Sequence, residues 1–343
     1  MAAPQQQSTI VTAESISIPS TPLGGAKNDD SNANGDLNNL SSMRTVDPPT
    51  RDAAFAYLSL AIPASEDNAQ VRSEYRPFLL SDDAQQTDWV SQLELATATE
   101  MASRDLHTTP TGERIKVLVL YGSLRSRSYS RLLAYEVSRI LFRLGCDVRI
   151  YNPSGLPIKD DTQHSHPKVQ ELRNLSRWSD GHFWVSPEQH GNLTAVFKNQ
   201  IDWIPLSTGS VRPTQGRTLG IAMVSGGSQS FNTVNSLRVL GRWMRMFTIP
   251  NQSSVPQAYT LFTGEEGDER TASRLMPGGH RERLVDCAEE FVKYTIIMRA
   301  HFGLFNDRFS ERKQMDDSEG QKQGHEQGHE QGQKINGADV GKI

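Results

Sequence analysis

Three short stretches of this chain carry residue types that could do chemistry, and each follows a run of strand-forming residues. Gly122 to Ser130 (GSLRSRSYS) places four serines and two arginines just ahead of a helical pattern. A helix start presents unpaired backbone N–H groups and the positive end of the helix dipole, so hydroxyls and guanidinium groups gathered there suit an anion, above all a monophosphate. The stretch lacks the GK[ST] of a nucleotide-hydrolysing loop and the three-glycine dinucleotide fingerprint, which weighs against Mg-ATP chemistry and a Rossmann NAD site. The plainer alternative is that Ser126 and Ser128 cap the helix while Arg125 and Arg127 are solvated.

Ser186 to Gly191 (SPEQHG) is the second stretch. Pro187 is expected to end its strand and turn backbone amides toward a flat ring. His190 reads as a partner for a ring nitrogen or phosphate, or as an ordinary exposed loop histidine. In the third stretch, Ser225 to Ser230 (SGGSQS), adjacent glycines follow a buried strand and let the backbone approach a ligand closely, unless the loop is an ordinary turn. Together the three outline a site for a phosphorylated planar cofactor such as FMN, whose ring would carry redox chemistry that the protein only positions. Neither a Gly-x-Ser-x-Gly elbow nor a compact His/Cys/carboxylate cluster occurs between residues 111 and 310, so hydrolase and metal chemistry are not indicated.

The elements that must position these loops alternate along the chain. IKVLVLY (Ile115 to Tyr121) is nearly continuous in apolar residues, as expected for a parallel strand covered on both faces. Helical spacing from Tyr129 to Leu144 follows, then a strand at Asp147 to Tyr151, a Pro-initiated helix at Pro167 to Trp178 and a strand at His182 to Val185. Next come a helix at Leu193 to Trp203, a strand at Thr218 to Val224, a helix at Phe231 to Met246, a weaker strand at Ser253 to Leu261, and a closing helix at Arg281 to Phe302. Such alternation implies right-handed crossovers, an α/β fold and a flavodoxin-like three-layer sandwich with a five-stranded parallel sheet in the order 2-1-3-4-5. Ligands then bind beyond the carboxyl ends of the strands, where all three loops fall.

Outside this region the composition changes. Residues 1–50 contain no aromatic residue and are expected to be disordered. Residues 51–110 read as an arm with helix-compatible pieces at Ala53 to Ile62 and Trp89 to Ala102. Its apolar patch, Tyr75, Phe78, Leu79 and Leu80, is too small for a core and is expected to lie against the main domain or a neighbouring subunit. Residues 311–343 form a Gly/His/Gln-rich tail expected to be disordered, and the spacing of His325 and His329 among glycines makes a poor metal site. Net charge is −9 over residues 1–110, +7 over 111–310 and −2 over 311–343. A basic folded region suits phosphate-bearing small ligands, and without a dense basic cluster or aromatic stripe it gives no sign of nucleic-acid binding. No apolar run is long enough to span a membrane and no secretory pattern is visible; with two cysteines, Cys146 and Cys287, and no disulfide framework, the cytosol is the expected compartment.

Three long segments carry a resemblance: LYGSLRSRSYSR (Leu120 to Arg131), SPEQHGNLTAVFKNQIDWIPLSTGSVRPTQGRTL (Ser186 to Leu219) and VSGGSQSFNTVNSLRVLGRWMRMFTIPNQSSVPQAY (Val224 to Tyr259). They resemble the ArsH arsenical-resistance flavoproteins of the NADPH-dependent FMN reductase family, over about residues 75 to 312. The resemblance implies non-covalent FMN, NADPH as hydride donor and a homotetramer. It matches Ser123, Arg125, Ser128 and Ser130 to the phosphate loop. Pro187, Glu188, Gln189, His190 and Gly191 match the loop along the ring and ribityl chain, and Ser225, Gly226, Gly227 and Ser230 the loop beside the isoalloxazine. The broader family usually shows Pro-Glu-Tyr-Asn in the second loop; Gln189 and His190 stand at the last two places here, in keeping with ArsH. The implied activity is two-electron transfer through FMN to a small-molecule acceptor such as oxygen, ferric iron, a quinone or an azo compound, and the resemblance also implies oxidation of trivalent methylated organoarsenicals, which give up two electrons, to the pentavalent form. With no three-thiolate site, an arsenical would have to meet the flavin directly. A general flavin, quinone, azo or ferric reductase and a flavin-binding redox sensor are the alternatives.

Overall fold

The computed structural model describes residues 68–314 apart from 82–83, 85–86, 110, 206–212, 265–272, 307–308 and 310–311, together with 51–52, 57–58 and 62. The expected disordered start, His325 and His329 lie outside the described residues, and of the Gly/His/Gln-rich tail only 312–314 are described, in helical conformation.

Two short strands open the described chain, β1 (Arg51–Asp52) and β2 (Tyr57–Leu58), paired antiparallel. The helical reading of Ala53 to Ile62 therefore fails at Tyr57–Leu58. Helices α1 (Ala69–Tyr75) and α2 (Ala96–Thr108) follow. From β3 (Lys116–Tyr121) the alternation sets in: α3 (Tyr129–Arg143), β4 (Asp147–Tyr151), α4 (Pro167–Trp178), β5 (Gly181–Gln189), β6 (Asn192–Leu193), α5 (Ala195–Trp203), β7 (Thr218–Val224), α6 (Asn232–Trp243), β8 (Phe247–Thr248), β9 (Ser253–Val255) and α7 (Gly279–Arg299).

Local chemistry sets these boundaries. The N–H-less Pro167 fits the first turn of α4, where His166 Nδ1 accepts the Lys168 amide at 3.2 Å. Helix α6 stops three residues short of the expected Met246 because Arg245 adopts a left-handed conformation (φ 59°) and the Met246 amide turns back to the Gly241 carbonyl at 2.9 Å. Strand β5 runs past Pro187 to Gln189, further than expected. The chain there folds back on itself through His190 (φ 52°) and Gly191 (φ 74°), and Glu188 and Gln189 pair with Leu193 and Asn192. Positive φ at both central residues is the hairpin geometry that matches strand twist.

Among the described residues the main sheet has seven strands rather than five, in the order β4-β3-β5-β7-β8, with β9 also on β7 and β6 on β5. Its β3, β4, β5 and β7 ladders are parallel. The expected fifth strand is divided: β8 runs beside the start of β7 and β9 beside its end. Pro250, which cannot donate to a ladder, lies between them, and β9 ends before Pro256 and the left-handed Gln257 (φ 47°), giving a 3-10 turn at Ala258–Thr260 where a longer strand was expected.

Side chains of β3 alternate between two cores. Val117, Val119 and Tyr121 pack in the layer built by α3 and α7, and Leu118 and Leu120 in the layer built by α4, α5 and α6, giving the three-layer flavodoxin-like sandwich. The arm is part of the first core and does not merely lie against it: Phe78, Val90, Leu95 and Ala98 are buried there, and Phe78 meets Phe142 edge-on at 5.9 Å. Met244 and Met246 are likewise buried in the chain's own second core, whereas Trp243 stands 61% exposed. Among the described residues no helix is long and apolar enough to cross a membrane.

Candidate functional site

Strands β3, β5 and β7 end side by side, and their carboxyl-end loops converge. The Gly122 amide donates to the Val185 carbonyl at 3.1 Å, carrying the ladder one residue into the first loop. Thr194, which caps α5 by accepting the Phe197 amide at 3.3 Å, donates its hydroxyl to the Gly122 carbonyl at 2.6 Å. A Cβ on Gly122 would stand 2.9 Å from both Phe197 Cβ and Thr194 Oγ1, so the first loop leaves the sheet at a point where only glycine fits.

Beyond this point lies a cavity of about 710 Å³, a size that suits a cofactor. Ser123, Arg125, Ser128, Ser130, Pro187, Glu188, Gln189, Ser225 and Gly226 line it. His190, Gly191, Gly227 and Ser230, from the same loops, are not among its lining residues; His190 and Gly191 form the exposed hairpin tip. Gly122, Arg127 and Tyr129 of the first stretch line it too, as do residues without a sequence signal: Leu124, Thr194, Val196, Val224, Ala258 and Tyr259. Tyr259 comes from the 3-10 turn after β9, a segment read from sequence as plain strand.

The phosphate-like end is built at the start of α3. Ser128 caps this helix, accepting the Arg131 amide at 3.2 Å, and its Oγ lies 3.2 Å from Ser130 Oγ, both side chains being buried. The first helical amides, of Tyr129 and Ser130, have no intrahelical carbonyl to bond. The two arginines of the loop differ. Arg127 donates to Ser273 Oγ at 3.0 Å and to the carbonyls of Thr263 and Gly264 at 3.2 and 2.9 Å, tying the loop to a neighbouring segment. Both line the cavity, but Arg125 is exposed: its amide donates to Ser123 Oγ at 3.2 Å, while its guanidinium has no ion pair or hydrogen bond to another described residue. Capping and anion recognition, which the sequence left as alternatives, are compatible here: Ser128 caps while Arg125 stays available.

Glu188 links the second and third loops. Its carboxylate accepts the Ser230 hydroxyl and the Thr233 amide (3.1 Å) at the start of α6, whose own N-cap residue, Phe231, supplies no side-chain cap. Ser225 and Gly227 are held from the other side, their carbonyls accepting the Ala258 and Gln257 amides at 3.0 and 3.2 Å. A Cβ on Gly226 or Gly227 would meet no protein atom within 4 Å, so this loop leaves open the space that side chains would fill.

A buried charge cluster secures the segment that Arg127 grips. Arg274 forms a two-pronged pair with Glu136 (2.6 and 3.0 Å) and a further ion pair with Asp88 from the arm. Burial by itself would raise the Glu136 carboxyl, but Arg139 and the hydrogen-bonded Arg274 outweigh it and hold the group below its ordinary value. Both thiols lie elsewhere, inside the core: burial pushes Cys146 up and Cys287 up to about 12, so neither is a ready nucleophile or soft-metal ligand. Among the described residues no group of three or more His, Cys, Asp or Glu side chains is placed to hold a metal ion.

A family model described as NADPH-dependent FMN reductase matches residues 115–260, from β3 through the 3-10 turn. Over 212 residues the chain is 54% identical to a Rhizobium meliloti (strain 1021) protein named NADPH-dependent FMN reductase ArsH, covering 62% of this chain and 85% of that one. Proteins of the same name from Acidithiobacillus ferrooxidans and Shigella flexneri are each 51% identical, over 199 and 209 residues. These matches cover 58% and 61% of this chain, and 81% and 79% of theirs.

Proposed function

Because the chain belongs to the ArsH family of NADPH-dependent FMN reductases, we propose that it binds FMN in the cavity at the strand ends, takes hydride equivalents from NADPH and delivers electrons to a small-molecule acceptor. The observation that carries this reading is the arrangement at the start of α3, where Arg125, whose guanidinium bonds no other described residue, lines one cofactor-sized cavity together with Ser128 and Ser130. In it Ser123, Arg125, Ser128 and Ser130 take the phosphate. Pro187, Glu188 and Gln189 form the wall along the ring and ribityl chain, with His190 and Gly191 turning the hairpin behind them. Ser225 and Gly226 lie beside the ring, and Gly227 and Ser230 hold that loop in shape.

Bound FMN supplies two-electron redox chemistry; the side chains supply position and access. Leu124 and the 57% exposed Tyr259 stand at the cavity wall, where they restrict water while leaving room for a donor or acceptor to meet the ring. Trivalent methylated arsenicals are the substrate favoured by the family's name, with oxygen as the acceptor: it would take two electrons from NADPH and two from arsenic, one of its atoms ending on the pentavalent product and the other in water. The buried thiols require such a molecule to react at the cofactor and not on cysteine. We assign the protein to the cytoplasm, where NADPH is generated, and to a homotetramer. Supporting the assembly, Phe231 (50%), just before α6, and Val239 (56%) and Trp243, one turn apart on it, are exposed apolar side chains.

The test is NADPH oxidation by the FMN-loaded protein in air, with and without a trivalent methylated arsenical, with the arsenic product followed. Pentavalent product that depends on protein, FMN and NADPH supports the full reading. NADPH oxidation with arsenic unchanged leaves a flavin reductase with another acceptor, and a protein that retains no visible flavin absorbance after incubation with FMN and desalting refutes the reading. A monomeric mass by light scattering would remove the tetramer.

A further inference from the structure

Glu188 lines the cavity, yet the hydrogen bonds of its carboxylate are made to protein. It reaches from the end of β5 across to the next crossover, accepting the Ser230 hydroxyl and the Thr233 amide. Those two groups bracket the start of α6, a helix whose N-cap position is occupied by phenylalanine. The hairpin tip passes near the same helix start, where a Cβ added to Gly191 would stand 3.4 Å from Asn232 Nδ2. The two cavity walls formed by the second and third loops are therefore fastened to each other at their bases.

We propose that Glu188 is a positioning residue, a latch that acts through Ser230 and the α6 amide to fix the spacing between the ring-side hairpin and the Gly226–Gly227 loop, and that it does not serve as a direct ligand of the cofactor. This rests on the reading of the cavity as an FMN site. Three features favour a latch. An acidic group is poorly suited to a ligand that carries a phosphate, and the positive end of α6 neutralises it where it stands. The bond it makes to Thr233 satisfies a helix-start amide that would otherwise be orphaned beside the cavity. The loop it anchors has two glycines at which an added Cβ would meet no protein atom within 4 Å, so its path rests on hydrogen bonds and not on side-chain packing at those positions.

Side-chain chemistry separates the latch from a direct contact. Glutamine at 188 can still accept the Thr233 amide and, by turning its amide group, donate to Ser230 Oγ, so it keeps the latch and loses only the charge. FMN affinity is measured by quenching of flavin fluorescence on titration into FMN-free protein, for Glu188→Ala, Glu188→Gln, Ser230→Ala and the Glu188→Ala/Ser230→Ala pair. The latch predicts that Glu188→Ala weakens FMN on the order of tenfold, that Glu188→Gln stays within about threefold of wild type, and that the double variant is no weaker than Glu188→Ala alone. Equal losses in Glu188→Ala and Glu188→Gln, or a double variant whose losses add, would mean that Glu188 touches the cofactor directly and would overturn the proposal.

Amide hydrogen exchange at Thr233 in the FMN-free protein gives a readout independent of the cofactor. Exchange accelerates in Glu188→Ala and stays slow in Glu188→Gln if the latch exists; unchanged exchange in Glu188→Ala refutes it. Wild-type protein that fails to bind FMN would instead sink the functional reading, while the exchange measurement would still decide the latch.

Discussion

Replacing Arg125 by alanine should weaken FMN without weakening the fold. The guanidinium lines the cavity and bonds to no other described side chain, so its removal leaves no buried group orphaned. A charge-assisted hydrogen bond to a phosphate is worth ~1.5 to 3 kcal/mol, and at about 1.4 kcal/mol per decade that is roughly a ten- to hundredfold rise in Kd. Because Arg125 is exposed, solvent screening places the loss toward the lower end and makes it shrink as salt is added. Arg125→Lys keeps the charge without the planar fork and should fall between wild type and alanine. Arg127 is the internal control. Its bonds to Ser273, Thr263 and Gly264 are structural, so Arg127→Ala should lower the melting temperature of the FMN-free protein where Arg125→Ala does not. Fluorescence titration at two salt concentrations and a thermal melt measure both effects. Unchanged FMN affinity in Arg125→Ala would show that the guanidinium points away from the ligand and would undo the assignment of this loop.

His182 is buried in β5, where its Nδ1 accepts the Trp184 indole N–H at 3.2 Å, and burial, aided by Arg217, pushes its pKa down to about 3. The unfolded chain gains a proton near pH 6.5 that the folded chain refuses, so stability is full above that pH and falls as the pH drops, by about 2 kcal/mol between pH 6.5 and 5. Denaturant titrations of His182→Gln should lack this part of the slope, and an unaltered slope would mean that another group is responsible. Glu136→Gln leaves Arg274 and Arg139 without their shared buried carboxylate and should cost ~3 to 5 kcal/mol by the same titration; a change under about 1 kcal/mol would show the cluster to be neutral in balance. Gly122→Ala drives a methyl group against Phe197 and Thr194 and should cost about 1 to 3 kcal/mol while weakening FMN; a variant with wild-type stability and affinity would show that the loop yields there.

Parts of the site were legible because their grammar is local. The strand at Asp147–Tyr151, the helix at Pro167–Trp178 and the strand at Thr218–Val224 have the boundaries read from sequence, each marked by an apolar run or a helix-starting proline. The Ser/Arg loop before α3 declared itself in the same way, since strand, polar loop and helix start are contiguous. What was illegible depends on distant partners. Pro187 looked like a strand end because nothing nearby announces that Asn192 and Leu193 will return to pair with the residues after it. The split fifth strand follows from Pro250, whose effect appears only once β7 is known to be its neighbour. The bond from the Thr233 amide to Glu188 gave no signal because the two residues lie 45 positions apart. Tyr259 gave no signal because its place in the cavity wall depends on a left-handed turn at Gln257.

The arm before β3 bears on how this molecule comes apart. A chain trimmed to the family match, residues 115–260, would lose Phe78 from its seat on Phe142, the Phe78 carbonyl that accepts Arg139 Nε at 2.7 Å, and α7, whose Phe291 packs on Phe183. It would also lose Asp88 and Arg274, leaving Glu136 buried with fewer of its partners. Arm and sheet should therefore melt in a single cooperative transition, with no stage at which the cofactor cavity persists after the arm has peeled off. The smallest piece able to fold is set by these buried partnerships and extends well past the boundaries of the shared family sequence.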